Sequence, residues 1–455
     1  GMIVLTGSAS VPLFLDSSHH GDVYRTVVYI GLYLAALGSG IVKPCTLTFG
    51  ADQFDINDTV ERAKKGSFFS WYYLTVKISA LLSGTVLVWL QDNVGWGVGF
   101  AIPTVIMLFS LIVFVASTSL YRFKEIGASP LKSLFQVIGA AVKKRHLQLP
   151  NDSSLLYELT NSTLPDDATQ KIKHTDQFRV FDKASILPAQ SNHKSMLETS
   201  SWTLCTVTQV EELKTLLRMF PIWVSSVIFY AVNEQMSLTS VEQGMFMDSR
   251  VGAFSIPPAS LSTVTVLSVL ILVPVYENLL VPLSRHVTGK DKGLSQQQRL
   301  GIGLALSMLS MAYLALLENR RLAMAAASGL TRQNVPVPIG ILWQVPAYFL
   351  QGAAEVFAVI GVTEYFYDHA PESMKSLCAA FGQLAISSGS YLSALVLGLV
   401  AVATTRGGSP GWIPDNLNEG HLDYFFGMMA SLSLLNLLQF VYYSMSSRDT
   451  ATCLA

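Results

Sequence analysis

The chain has 455 residues, of which 51% are hydrophobic and only 13% charged, with a mean hydropathy of +0.42. A sequence this long and this apolar reads as an integral multi-pass membrane protein rather than a water-soluble one. Its formal net charge of -1 leaves no basic face for phosphate, which excludes a nucleic-acid partner, and Cys45, Cys205, Cys378 and Cys453 lack disulfide or metal spacing.

The chain opens on GMIVLTGSASVPLFL, an apolar run too short to span a bilayer and without the charged start of a signal peptide. It reads as the tail of a spanning helix whose beginning is missing. Eight or nine full spans follow, each an apolar window of about twenty residues between polar turns. The first three lie at roughly 26–49, 68–90 and 96–118, the last two joined only by QDNVG. Residues 119–212 form a polar insert with KKRH, DDATQKIKHTD and SNHKS, which no bilayer core accommodates. Six further spans are predicted near 216–240, 256–282, 298–317, 339–366, 377–404 and 423–445. Pro103, Pro221, Pro257, Pro258, Pro274 and Pro346 fall inside these windows, where neighbouring helices can satisfy the freed backbone groups.

This is the pattern of a six-plus-six bundle lacking its first two helices and part of the third. The predicted divisions are 1–118 for the remainder of the N-terminal bundle (the end of helix 3 and helices 4 to 6) and 119–212 for a cytoplasmic loop. Residues 213–446 then form a C-terminal six-helix bundle and 447–455 a cytoplasmic tail. With the insert cytoplasmic, inward segments hold 22 Lys and Arg and outward segments six, the latter including Arg320 and Arg321. Leaving out the insert, which is too long for the positive-inside rule, the balance is eleven to six. The sequons at Asn57, Asn151 and Asn161 then face the cytosol and stay unglycosylated.

Ionisable groups inside the spans carry the functional signal, because a charge at that depth is costly unless paired or hydrated. In GLYLAALGSGIVKPCTLTFGADQFD, Lys43 sits between a Gly-Ser-Gly turn and Pro44. It reads either as a snorkelling lysine or as a cation lining a hydrated cavity. Lys77 lies near the centre of its span, Glu234 lies in FYAVNEQMS, and Glu355 lies in QGAAEVFAVIG with Glu364 nine residues on. Nine residues turn a helix by about 900°, so Glu355 and Glu364 face opposite sides and cannot share one role. Glu355 is the cavity candidate and Glu364 an interfacial or gate contact. Cations from the first half and carboxylates from the second fit a charge-lined cleft, with Lys43 and Glu234 as the favoured pair; the alternative is a set of structural ion pairs locking the bundle.

GSGIVKPCTLTFGADQFD resembles the signature of the proton-dependent oligopeptide transporters, in particular the plant nitrate and peptide transporter family and its di- and tripeptide branch. KKGSFFSWYYL, LYRF, CTVTQVEELKTLLRMFPIW, VPVYENLLVPLSRHVTGK, LQGAAEVFAVIG, EYFYDHAPESMKSL and GWIPDNLNEGHLDYFF are similar to further family blocks, so the likeness spans the chain. It implies an all-α major-facilitator bundle, alternating access and proton symport of di- and tripeptides. Lys43 would meet the substrate carboxylate and Glu355 its amino group. Glu234 of the Glu234-Gln235 pair would titrate, with Gln235 and Lys77 as further polar or charged cleft residues.

Departures from the family pattern are Lys77 for an asparagine, Asn278 for an arginine, Val362 for a glutamine, and the absence of a Glu-X-X-Glu-Arg motif. The last leaves two readings, an intact carrier with upstream helices or a transport-inactive membrane protein. Nitrate or another small solute is the alternative substrate, disfavoured because none of the histidines lies deep in a span. No nucleophile–base pair, phosphate loop or metal spacing suggests an enzyme, and no cofactor or metal is expected. Protons, peptide and the lipid bilayer are the partners implied, with the plasma membrane favoured over the vacuolar membrane.

Overall fold

The protein is seen as a computed structural model that describes residues 1–10, 21–55, 58–123, 129–149, 156–158, 172–186, 202–252, 254–288, 294–406 and 410–452. The asparagines of the three sequons lie outside the described residues. Helices α1 (Met2–Ser10), α2 (Gly21–Ala51), α3 (Thr59–Leu82), α4 (Val88–Asn93) and α5 (Trp96–Ala116) come first, then α6 (Pro130–Lys143) within the insert. After it come α7 (Val207–Met245), α8 (Ser262–Val275), α9 (Val281–Thr288), α10 (Gln296–Ala327), α11 (Val345–Asp368), α12 (Lys375–Thr404) and α13 (Leu422–Thr452). One π-helical turn, Ser83–Leu87, joins α3 to α4 and another, Tyr276–Leu280, joins α8 to α9, so each pair forms one long rod.

Among the described residues nine helices are long and apolar enough to cross a membrane, and they fall on the nine predicted windows. The chain is an all-α, multi-pass membrane protein. Helix α7 starts at Val207, well before the apolar window near 216, because charged side chains in its first turns are paired instead of solvated. Pro44, Pro103, Pro221 and Pro274 sit inside helices, and Pro346 takes the first turn of α11, where a missing N–H costs nothing.

Two compact units are present. The first comprises Gly1–Phe123, Ser225–Glu364 and Ile386–Ala455. In it α1 packs against α2 and α5, α3 against α8, and α10 along α13. Its core includes Met311, Leu314, Phe425, Phe426 and Met429, none of them accessible. The parallel pair β1 (Met247–Asp248) and β2 (Val337–Gly340), with Met247 opposite Val337, ties the end of α7 to the turn before α11. The span containing α11 is the most enclosed, 67% of its apolar window being buried against 6% for the span of α2. On α5, by contrast, Ile106, Phe109, Ile112 and Val115 are exposed, as a lipid-facing helix requires.

The second unit comprises Lys124–Val224 and Tyr365–Ala385. Here α6 lays Val137, Ala140 and Ala141 on Ala184, Cys205, Val210 and Leu213. Its buried residues, Ser133, Gln136, Val137, Ala140 and Ala141, recur at the three-four spacing of one helix face. The polar average of the insert conceals this amphipathic helix.

Candidate functional site

Small residues set the position of Glu355. A Cβ added to Gly303 on α10 would stand 2.6 Å from the backbone nitrogen of Ala358 on α11, and one added to Gly352 would stand 2.8 Å from the carbonyl of Thr265 in α8. Both helices therefore approach α11 backbone to backbone, which only glycine allows. The turn carrying Gly352 and Ala354 is locked, and Glu355 follows it toward α3 and α7.

Five side chains from three helices meet there. Lys77 Nζ lies 2.5 Å from Glu355 Oε2, with side-chain exposures of 20% and 8%. Tyr73 donates its hydroxyl to the same oxygen at 3.0 Å, and Lys77 Nζ sits 5.4 Å from the Tyr73 ring centroid. Asn233 of α7 donates to Glu355 Oε1 at 3.3 Å, while Gln351 donates to the Asn233 carbonyl oxygen. Tyr73 and Lys77 are four residues apart on α3, and Gln351 and Glu355 four apart on α11. Each pair shares one helix face, and the two faces meet. Unpaired, a buried Glu355 would cost several kcal/mol; with its partners it is a stable polar centre in an apolar bundle. A carboxylate held this way can exchange its cation for another.

The arrangement differs from the expected pairing of Lys43 with Glu234. Lys43 and Glu234 are both exposed, and among the described residues no ion pair joins them. Consecutive helix residues point about 100° apart, so when Asn233 turns to Glu355 its neighbour Glu234 turns away. Gln235 is fully buried and donates to the Ser393 carbonyl at 2.8 Å and hydroxyl at 2.7 Å, tethering α7 to α12. Tyr73, Asn233 and Gln351 escaped sequence reasoning because uncharged polar residues are common in spans; the four-residue spacing to Lys77 and Glu355 was the available signal.

Glu364 lies on the other side of α11, 2.8 Å from Arg299 of α10. The Arg299 guanidinium lies 4.7 Å from the Tyr276 ring. Another buried pair, Glu318 with Arg321 at 2.7 Å, accepts from Gln243 at 2.8 Å and donates to Asn418, so Arg321 is no outward surface charge. Toward the other end of α3, Ser67 donates to Glu277 at 2.7 Å. A cavity of about 520 Å³ opens there, lined by Phe54, Lys64, Ser67, Phe68, Trp71 and Arg285. The Asp-Gln-Phe-Asp stretch forms a clasp: the Gln53 side chain accepts from the backbone N–H of Arg122 at 2.9 Å, and Glu61 accepts from the Asp55 N–H at 2.6 Å and from Arg122 at 3.0 Å. The Asp55 N–H first, and then Arg122, holds the Glu61 carboxyl below its usual 4.5.

In the second unit, Lys214 Nζ lies 2.7 Å from Asp182 and 2.8 Å from Glu211, and His174 Nε2 lies 3.0 Å from Asp182. His174, Asp182 and Glu211 are near enough to share a metal ion, yet the fully buried Lys214 already supplies the cation that the two carboxylates need. Lys144 donates to the carbonyls of Ala184 and Ile186, and burial pushes its ammonium below the ordinary lysine value.

The chain matches the POT family (PTR2) over residues 1–413. Two relatives from Arabidopsis thaliana, the NRT1/PTR family proteins 8.3 and 8.1, are 49% and 44% identical to it, each over 98% of this chain and over 77% and 79% of their own lengths. In fold it is similar to an auto-inhibited POT family peptide transporter, with a TM-score of 0.58 and 20% identity over 98% of this chain and 81% of that one. It is also similar to a peptide transporter POT variant crystallised with alafosfalin, with a TM-score of 0.53 and 16% identity over 98% and 78%. Family and fold are those of transporters and not of enzymes. With its membrane-spanning helices and its charged centre inside an apolar bundle, the chain belongs to the POT family of major-facilitator-type membrane transporters, whose trait is proton-coupled peptide transport.

Proposed function

We propose that the chain is a proton-coupled symporter of di- and tripeptides that works by alternating access. The observation that carries the reading is the Lys77–Glu355 pair at 2.5 Å, with Tyr73 and Asn233 on the same carboxylate. Charges at membrane depth are rare and mark a substrate or ion path, and this centre joins α3 of the first half to α7 and α11 of the second. The family trait and the peptide-like ligands of solved relatives support a peptide substrate.

In this reading Glu355 faces the amino end of the peptide and Lys43 its carboxylate, while Glu234 takes and releases the coupled proton and Gln235 holds its helix in register. The plasma membrane is the proposed site of action. A second reading, carriage of nitrate or another small anion, is favoured by one feature: Lys77 cancels the charge of Glu355. The test is uptake of labelled dialanine at saturating concentration into proteoliposomes with an acidic exterior. The proposal expects accumulation driven by the gradient and inhibited by other dipeptides. Nitrate uptake without dialanine uptake would establish the second reading instead.

A further inference from the structure

We propose that Lys77 is a built-in surrogate for the substrate's ammonium group, so that the site prefers peptides whose amino terminus is masked. The inference rests on the reading that Glu355 faces the amino end of a bound peptide. An ionised carboxylate offers about two acceptor positions on each oxygen. On Oε2 both are used, by Lys77 Nζ at 2.5 Å and Tyr73 at 3.0 Å. On Oε1 one is used, by Asn233 at 3.3 Å, and Asn233 is itself held by Gln351.

A free peptide ammonium arriving at this carboxylate meets a lysine of its own charge, already 2.5 Å from Oε2. It must either displace Lys77 or sit against it. A peptide with an acylated nitrogen escapes the repulsion and still has an N–H to donate to Oε1, while its carbonyl can accept from the lysine. Lys77 is thus the specificity-determining residue, and what it rejects is positive charge and not the peptide backbone. The enclosure favours this role: with Lys77 only 20% exposed, solvent cannot screen the second cation as it would at the surface.

The test is equilibrium binding of dialanine and N-acetyl-dialanine to the purified full chain in nanodiscs, for the unaltered protein and for Lys77→Asn, Lys77→Gln and Lys77→Arg. The unaltered protein is expected to bind N-acetyl-dialanine about tenfold more tightly, a ratio that the loss of one charge repulsion readily supplies. Lys77→Asn and Lys77→Gln remove or reverse the preference, and Lys77→Arg keeps it. A purely structural lysine would weaken both peptides alike and leave their ratio unmoved. Tighter or equal binding of dialanine by the unaltered protein, or an unchanged ratio in the two neutral variants, overturns the proposal. Binding of neither peptide by any form contradicts the peptide reading itself, and the proposal falls with it.

Discussion

A carboxylate enclosed among helices persists as an ion only where its partners replace water, and Glu355 has three of them. Removing one partner strands the other. Lys77→Ala is therefore expected to lower stability by about 3 kcal/mol, read by thermal denaturation in detergent, whereas Lys77→Met combined with Glu355→Gln recovers most of that loss. Arg321→Ala, which strands the fully buried Glu318, should cost about 3–5 kcal/mol by the same measurement. That Lys77 and Glu355 are charges enclosed among helices was legible in the sequence, since each is an ionisable residue in an apolar run. Which cation meets which carboxylate was not: on α7 a single 100° step puts Asn233 in the centre and Glu234 outside it, and apolar patterning does not fix a helix's rotation that finely when both neighbours are polar.

At the scale of elements, close helix approach and paired helix ends do most of the positioning. Gly303→Ala would push a methyl group into the backbone of α11, and a cost of about 1–3 kcal/mol is expected from forced separation. Lys214→Met leaves Asp182 and Glu211 without their shared cation; residues 172–186 should then exchange amide hydrogens faster while α10 and α13 stay protected. The clasp at Glu61 carries a pH dependence. Its carboxyl is depressed in the folded chain, so its contribution is fully present above about 4.5 and is lost as pH falls through the lower folded value. Cleavage by an acid protease near Arg122 should accordingly rise only below that point, and Glu61→Gln should raise it at every pH. The spans themselves were readable from hydropathy. Helix α6 and the early start of α7 were not, because α6 buries one narrow face inside a polar insert and α7 is extended by ion pairs that hydropathy scores as loop.

For the whole molecule, one half supplies a lysine and a tyrosine and the other a glutamate and an asparagine, and they meet inside the apolar bundle. The likeness of the chain to a transporter family was legible across its length because signature blocks recur in every region. The local departure at Lys77 gains meaning only from the contact it makes with Glu355 in three dimensions. The most direct test of this assignment is dialanine accumulation in proteoliposomes under an imposed proton gradient, with the unaltered chain and Glu355→Gln compared at equal reconstituted amounts. Gradient-driven accumulation by the first and its fall to the level of protein-free liposomes in the second is the predicted result; undiminished accumulation by Glu355→Gln would contradict the account.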